Sequence, residues 1–289
     1  MRRIVHLSDL HFGHIRRETL GPLQEAVRAA RPHLVAVSGD LTQRARKGQF
    51  REAARFLETL PAPRLVVPGN HDVPFYNVLY RFLRPLHNYR RFISADTEPY
   101  YEDAEMAVAG LNTARSLTFK SGRVNEAQIA RVSERLCRLG DGVTKIVLTH
   151  HPFDVPEGSH HAELVGRADM AMKILAQCGA DVLLAGHLHV SHTGHTATRY
   201  KIAGHSALVI QAGTATSTRE RGERNSFNVV YVERPRIAVE RHVWDSSGAF
   251  VPAAREEFRH TPDGWARESP REPVDTARTG EKEPTSGAP

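Results

Sequence analysis

Short apolar runs, rich in β-branched residues, recur along the chain and are separated by amphipathic stretches. Five of these runs lack the polar alternation of a half-exposed strand, which is typical of parallel strands that are buried on both faces. They cover residues 4–7, 34–37, 65–67, 146–148 and 182–185. Residues 21–30, with a proline near their first turn, and residues 49–60, with apolar positions at helical spacing, are predicted to be helices. The pattern therefore predicts right-handed βαβ units and an α/β fold.

The second half of the chain adds further strands and helices to this pattern. We expect a strand at 106–111, a helix capped by Asn125, and a helix at 167–178 before the fifth apolar run. After residue 189 the pattern changes to three strands that look antiparallel, at 207–211, 227–232 and 236–243. These strands indicate a second sheet.

Residues 73–105 interrupt the regular alternation and are rich in aromatic residues and arginine. The segment follows directly on the polar residues after the third strand, so we expect a small helical cap above that edge of the sheet. Its aromatic side chains either pack the insert itself or shape a substrate pocket by stacking on a base or an apolar group.

Polar residues with metal-ligand chemistry follow each of the five buried strands. Because the carboxyl ends of parallel strands form the ligand crevice of an open α/β sheet, we expect these residues to meet at one edge. Two metals about 3.5–4 Å apart need a bridging ligand, and the two carboxylate oxygens of Asp40 suit that position. Mixed imidazole and carboxylate ligands favour Mn, Fe, Zn or Co over Ca and Mg. The five segments are 9–11, 39–40, 69–72, 149–151 and 186–189.

These segments resemble, in order, the D-x-H, GD, GNH(D/E), H and GHxH blocks of the calcineurin-like metallophosphoesterases. The resemblance implies that fold family's four-layer α/β/β/α sandwich. It also implies a particular division of ligands between two metal ions, with His150 chosen over the adjacent His151. One ion is held by Asp9, His11, Asp40 and His189, and the other by Asp40, Asn70, His150 and His187.

The same resemblance implies a mechanism, which is in-line attack on phosphorus by a metal-bridging hydroxide. It places His71 opposite the scissile phosphate, where this residue stabilises charge or protonates the leaving oxygen, and has Asp72 orient it. We also assign substrate contacts to Asn112, at the end of the strand at 106–111, and to Arg219, in a polar loop at 213–225. Guanidinium groups match phosphate oxygens in a bidentate geometry.

The opening segment LSDLHFG is similar to the branch of the family that contains bacterial cyclic-nucleotide phosphodiesterases. We therefore expect a small phosphodiester substrate, either a cyclic 3′,5′-nucleotide or a glycerophosphodiester. Three alternatives stay open: a phosphomonoesterase or protein phosphatase, a DNA-repair-type nuclease, and an inactive binding scaffold. Some relatives form dimers, so a homodimer is compatible with the resemblance.

Composition adds limits on partners and location. The chain has 289 residues and a net charge of +6, and the excess charge is spread along the sequence, which does not favour nucleic-acid binding. We expect one domain at 1–251 and a mostly disordered tail at 252–289, where Pro, Gly, Ser and charged residues dominate towards the end. The two cysteines, Cys137 and Cys178, are predicted to be reduced core residues. With no secretory signal and no membrane-spanning run, the sequence predicts a cytoplasmic protein.

Overall fold

Two β-sheets form the middle of the molecule. The computed structural model describes residues 1–61, 63–75, 77–118, 120–155, 164–196, 199–200, 202, 205–218 and 223–268. The strands are β1 Arg2–Leu7, β2 Leu34–Ser38, β3 Arg64–Val67, β4 Tyr100–Glu102, β5 Met106–Gly110, β6 Thr144–Leu148, β7 Val182–Ala185, β8 His192–His195, β9 Leu208–Gln211, β10 Ser226–Glu233, β11 Arg236–Trp244, β12 Phe250–Thr261 and β13 Gly264–Arg267. The first sheet has the order β13-β12-β11-β10-β1-β2-β3, and the second has the order β4-β5-β6-β7-β9-β8.

Helices cover the outer face of each sheet. One helix begins at a clear capping residue, Asn125, whose side chain accepts a hydrogen bond from the Gln128 N–H. The helices are α1 Leu20–Ala29, α2 Lys47–Thr59, α3 Val78–Leu83, α4 His87–Phe92, α5 Glu126–Cys137 and α6 Ala168–Gln177. No helix in the described ranges combines the length and the apolar character needed to cross a lipid bilayer.

Alternation along the strands produces the four layers. In β1, Ile4 points into the apolar layer between the two sheets, whereas Val5 and Leu7 pack under α1 and α2. In β6, Ile146 and Leu148 enter the same inter-sheet layer, and Val147 packs under α5 and α6. The central strands of each sheet, such as β2 and β6, are therefore buried on both faces, which explains their continuous apolar runs and confirms the predicted α/β/β/α sandwich.

The later strands are divided between the sheets differently from the prediction. Strand β9 pairs antiparallel to β8, as predicted, but parallel to β7, so the prediction of a purely antiparallel strand is wrong for that edge. Strands β10 and β11 are antiparallel, as predicted, but they extend the first sheet through the pairing of β10 with β1. The five ligand-bearing segments consequently come from two sheets, three from the first and two from the second.

Residues 252–268 are not a disordered tail, and this part of the prediction is wrong. They complete β12 and form β13, which pair in register with β11 and with each other. Most of β12 is exposed, so its sequence lacks the alternation of apolar and polar residues that marks a half-buried strand. Ion pairs between neighbouring strands, such as Arg255–Glu240 and Arg267–Glu256, take the place of apolar contacts. The remainder of the predicted tail, residues 269–289, lies outside the described residues.

The cysteines form a disulfide, so the prediction of two reduced residues is wrong. Cys137 ends α5, and Cys178 follows α6, 41 positions later in the chain. The two helices pack side by side, which brings the two Cα atoms to 4.3 Å. The spacing of the two cysteines in the sequence does not show that these helices are in contact.

Candidate metal centre

Five of the seven predicted ligands have a left-handed backbone conformation. Their φ angles are 53° for Asp9, 50° for His11, 50° for Asp40, 74° for His187 and 60° for His189. This conformation is uncommon outside glycine and costs of order 1–3 kcal/mol per residue. It turns the chain sharply after each strand, which allows residues two apart, such as Asp9 and His11, to approach the same point.

Hydrogen bonds from a distant loop stabilise the turn after β1. The Thr214 hydroxyl donates to the Asp9 carbonyl at 2.7 Å, and the Thr216 hydroxyl donates to the Leu10 carbonyl at 2.6 Å. The His11 N–H donates to the Asp40 carbonyl at 2.9 Å, which joins this turn to the one after β2. The loop at 213–225 therefore contributes threonine hydroxyls to the site, a contribution that the sequence analysis missed.

One cluster of ligand atoms is formed around Asp9. Its Oδ1 lies 3.1 Å from His189 Nε2 and 3.5 Å from His11 Nε2. The two imidazole nitrogens are 3.2 Å apart, and Asp40 Oδ2 lies 3.7 Å from His11 Nε2. All these groups are buried.

A second cluster is formed around His150. Its Nε2 lies 3.0 Å from Asn70 Oδ1, 3.3 Å from His187 Nδ1 and 3.4 Å from Asp40 Oδ1. Asp40 thus directs one carboxylate oxygen at each cluster. The structure brings together all seven residues that the sequence predicts as ligands, in the two groups that the resemblance implies.

The spacing of these atoms fits metal ions. A metal with ligand bonds of about 2.0–2.2 Å holds neighbouring ligand atoms roughly 3.0–3.5 Å apart. The distances within each cluster mostly lie in that range, between 3.0 and 3.7 Å. Overlapping triplets of buried or half-buried ligand atoms, such as Asp9–His11–His189 and Asp9–Asp40–His150, have all their atoms within 4.8 Å of one another. The donor set and its spacing therefore suit a pair of ions with Asp40 between them.

Hydrogen bonds distinguish His150 from His151. His150 donates from Nδ1 to the Ser38 carbonyl at 2.7 Å, which leaves Nε2 as a lone-pair donor towards the cluster. Both ring nitrogens of His151 have partners outside the cluster, the Thr113 hydroxyl and the Lys120 carbonyl, each at 2.8 Å. The geometry therefore favours His150 as the ligand.

His71 and Asp72 make hydrogen bonds to different parts of the site. The His71 N–H donates to Asp40 Oδ1 at 2.8 Å, and its ring Nδ1 donates to the Gln43 carbonyl at 2.9 Å. The Asp72 carboxylate accepts hydrogen bonds from the backbone N–H groups of Leu41, Thr42 and Gly69 and from the Thr42 hydroxyl. These hydrogen bonds of Asp72 join the loop after β2 to the loop after β3. They do not orient the His71 ring, as the resemblance had implied.

Glycines in the motifs allow this close packing. A Cβ atom on Gly69 would lie 2.1 Å from Asp40 Oδ1. A Cβ atom on Gly186 would lie 1.7 Å from the Ser8 hydroxyl, which donates to Asp9 Oδ2 at 2.6 Å. Any side chain at either position would displace a carboxylate of the site.

Electrostatics within the site are dominated by the two carboxylates. Burial alone would lower the pKa of His150, but Asp40, Asp9 and the Ser38 carbonyl raise it to about 9. Burial and the charge of His150 lower the pKa of His187 to about 3. Burial opposes ionisation of Asp40, yet the surrounding imidazoles hold its pKa below the ordinary value. Cations held by these residues would balance the buried negative charge of Asp9 and Asp40.

The two predicted substrate-contact residues have different outcomes. Asn112 lies at the edge of a cavity of about 550 Å³ under the cap, together with Arg84, His87, Arg90 and Arg115. Its side-chain oxygen accepts a hydrogen bond from the Ala114 N–H at 3.0 Å. Arg219 lies outside the described residues.

Comparisons with known proteins agree with this geometry. A family model described as calcineurin-like phosphoesterase matches residues 2–191. The chain is 25% identical over 206 residues to the 3′,5′-cyclic adenosine monophosphate phosphodiesterase CpdA of Escherichia coli strain K12, which covers 65% of this chain and 69% of that protein. It is 27% identical over 162 residues to the glycerophosphodiester phosphodiesterase GpdQ of Enterobacter lignolyticus, covering 52% of this chain and 57% of that protein. Among solved structures, the purple acid phosphatase PPD1 of yellow lupin (Lupinus luteus) has a TM-score of 0.67 at 14% identity, covers 88% of this chain and 53% of that chain, and is similar in fold.

Proposed function

We propose, since this chain belongs to the calcineurin-like phosphoesterase family, that it hydrolyses phosphodiesters with the help of two metal ions. The observation that carries the proposal is the position of Asp40, whose two oxygens point to two separate clusters of ligand atoms. When bound, two such ions would lower the pKa of water and polarise the phosphate oxygens. Mn, Fe and Zn all suit the mixed imidazole and carboxylate donors.

In this proposal His71 is the residue that handles the proton of the leaving group. The Gln43 carbonyl accepts the hydrogen on Nδ1, so Nε2 is the nitrogen that exchanges a proton with the substrate. The His71 ring lies 4.9 Å from that of His11, at the edge of the first cluster. Asp72 acts through the loops, as a positioning residue.

The substrate class in this proposal is a small phosphodiester. The two similar curated proteins are named for cyclic AMP and for glycerophosphodiesters. The cavity beside Asn112 contains arginine side chains that suit an anionic or hydrogen-bonding substrate group. We therefore place cyclic 3′,5′-nucleotides and glycerophosphodiesters at the head of the candidates.

The test uses full-length protein loaded with Mn²⁺. Hydrolysis of bis-p-nitrophenyl phosphate is compared with that of p-nitrophenyl phosphate, with and without EDTA, and cyclic AMP and glycerophosphocholine follow. Faster, EDTA-sensitive cleavage of the diester supports the proposal. Preference for the monoester would assign the protein as a phosphatase, and no turnover by protein that holds two metals would overturn the proposal.

Two variants test the roles of the residues. Asp40→Asn should lower the bound metal below two ions per chain and remove activity, whereas His71→Asn should keep both ions and lower kcat by about 10²–10⁴-fold. Asp96→Asn, at an exposed aspartate on the surface, is the matched control. Two retained metals in Asp40→Asn would exclude Asp40 as the bridge.

We extend the proposal to a cytoplasmic location, as the sequence predicts. Cell fractionation tests this location, because disulfides such as Cys137–Cys178 are rare in the cytosol and persist in oxidising compartments. The protein should be recovered together with a cytoplasmic marker. Recovery in an oxidising compartment would contradict the cytoplasmic location.

A further inference from the structure

Exposed apolar side chains are concentrated on the cap. Of the large hydrophobic residues that are exposed in the described ranges, all but Met1 lie at 75–83 or at 117. Leu79 is 71% exposed, Leu83 is 70% exposed and Leu117 is 82% exposed. Exposed apolar residues are normally scattered singly over a protein surface, whereas a group of them in one place is typical of an interaction site. We call this surface the cap patch: Phe75, Val78, Leu79, Phe82, Leu83 and Leu117.

The cap patch is held in place by a buried arginine. The guanidinium of Arg81, which is 1% exposed, donates to the carbonyls of Pro74, Arg115, Ser116 and Thr118. These bonds fasten α3 to the loop that carries Leu117. The segment with Leu79 and Leu83 and the segment with Leu117 are therefore held next to each other.

The two chain segments that carry the cap patch contain basic residues and no acidic ones. Residues 73–95 contain four arginines, residues 111–124 contain two arginines and one lysine, and neither segment contains an aspartate or a glutamate. Arg84, Arg90 and Arg91 are exposed and make no ion pair with any carboxylate of the described residues. The patch thus combines aliphatic side chains with an uncompensated positive charge.

We infer that the cap patch docks the protein on an anionic lipid surface. Leucine and phenylalanine side chains enter the interface between headgroups and acyl chains, and neighbouring arginines attract anionic headgroups. A second copy of the chain fits this surface less well, because a two-fold contact would place the same arginines against one another. The patch begins three residues after Asp72, which ties together the two loops that carry Asp40 and Asn70, so docking brings the proposed active site close to the lipid surface.

The experiment measures co-sedimentation of the full chain with lipid vesicles. Vesicles of phosphatidylcholine alone are compared with vesicles that contain about 30 mol% phosphatidylglycerol. The wild type should partition strongly onto the anionic vesicles only. Leu79→Ser/Leu117→Ser should lower the partition coefficient about tenfold or more through lost apolar burial, and Arg84→Gln/Arg91→Gln should lower it about thirtyfold.

The matched control removes two arginines elsewhere. Arg131→Gln/Arg138→Gln, in α5 and at its C-cap, should leave partitioning unchanged, since these arginines already pair with Glu98 and Glu102. Circular dichroism and thermal unfolding verify that each variant is folded, independently of any enzymatic activity.

Two results would overturn the inference. One is equal sedimentation with neutral and anionic vesicles. The other is a dimer in sedimentation velocity that the Leu79→Ser/Leu117→Ser variant dissociates, because the cap patch would then be a subunit interface.

Discussion

Replacing Asp72 by asparagine tests whether this residue organises the loops or assists catalysis through His71. The carboxylate is buried and accepts four hydrogen bonds, two on each oxygen. An asparagine has nearly the same shape but can accept on one oxygen only. Its amide is best accommodated towards Thr42, whose hydroxyl can rotate to accept a hydrogen bond, while the Thr42 N–H loses its partner.

The size of the effect follows from these bonds. A hydrogen bond to a charged acceptor contributes about 1.5–3 kcal/mol against about 0.5–1.5 kcal/mol for a neutral one, and a buried donor without a partner costs about 1–3 kcal/mol. Relief of the buried charge offsets part of this loss. Burial and the charge of Asp40 raise the pKa of Asp72 to about 7, so the comparison belongs at pH 8, where the carboxylate is ionised. We expect Asp72→Asn to lower the free energy of unfolding by about 2–4 kcal/mol.

The assay is urea unfolding at pH 8, with and without Mn²⁺, combined with kcat for the diester. Asp96→Asn is the control, because that exposed carboxylate accepts a hydrogen bond from the Glu98 N–H, and its replacement should stay within about 0.5 kcal/mol. A double-mutant cycle with His71→Asn separates the two roles. If Asp72 acts only through the loops, its effect on kcat should be the same with and without His71.

The refuting result is equally specific. If Asp72→Asn left the unfolding free energy within about 0.5 kcal/mol of the wild type, and lost its effect on kcat once His71 was replaced, Asp72 would be an orienting partner of the histidine. The loop contacts would then have no energetic importance.

Three further changes test other parts of the structure. Gly69→Ala should displace Asp40 and reduce both bound metal and activity. The control Gly48→Ala, in α2 with no atom near its Cβ position, should keep activity and raise the free energy of unfolding by up to about 1 kcal/mol. Equal activities of the two variants would refute the packing argument. Burial lowers the pKa of His6 to about 3, so stability from its neutral ring is complete above the unfolded pKa of about 6.5 and is lost as the pH falls towards 3. Stability–pH curves of wild type and His6→Gln should differ in slope by up to about 1.4 kcal/mol per pH unit in that window, and parallel curves would contradict this. The disulfide between α5 and α6 closes a 41-residue segment, so its reduction should lower the free energy of unfolding by roughly 4 kcal/mol, measured by thermal or urea unfolding. An unchanged free energy would mean that the disulfide does not constrain the unfolded chain.

The sequence predicted most of the fold because the apolar signal is strong where strands are buried on both faces. The prediction was wrong at β12 and β13, which are exposed strands joined by ion pairs such as Arg259–Glu268. In the sequence these charged residues have the composition of a disordered tail. The prediction was also wrong at the cysteines because the contact between α5 and α6 is a tertiary property.

For the candidate site, the motifs were sufficient to predict which seven side chains lie together, but the sequence did not show the contacts that support them. The carbonyls of Ser38 and Gln43 hold two imidazole rings, and any residue supplies a carbonyl. The hydroxyls of Thr214 and Thr216 come from more than 200 residues away. Only the folded chain shows which backbone groups face which ring.

The distribution of the site over both sheets has a consequence for biosynthesis. His11 and His189 meet although 178 residues separate them, and β1 finds its antiparallel neighbour only in β10, at Ser226–Glu233. At a synthesis rate of about 5–20 residues per second, a ribosome needs roughly ten to forty seconds to pass from one histidine to the other. During that interval the amino-terminal strand lacks one edge partner, and three of the seven proposed metal ligands, His150, His187 and His189, have yet to be synthesised for most of it. Metal loading of the proposed site would therefore be a late event, and a chain that is interrupted before the fifth ligand segment would expose the edge of β1 that β10 covers in the complete fold.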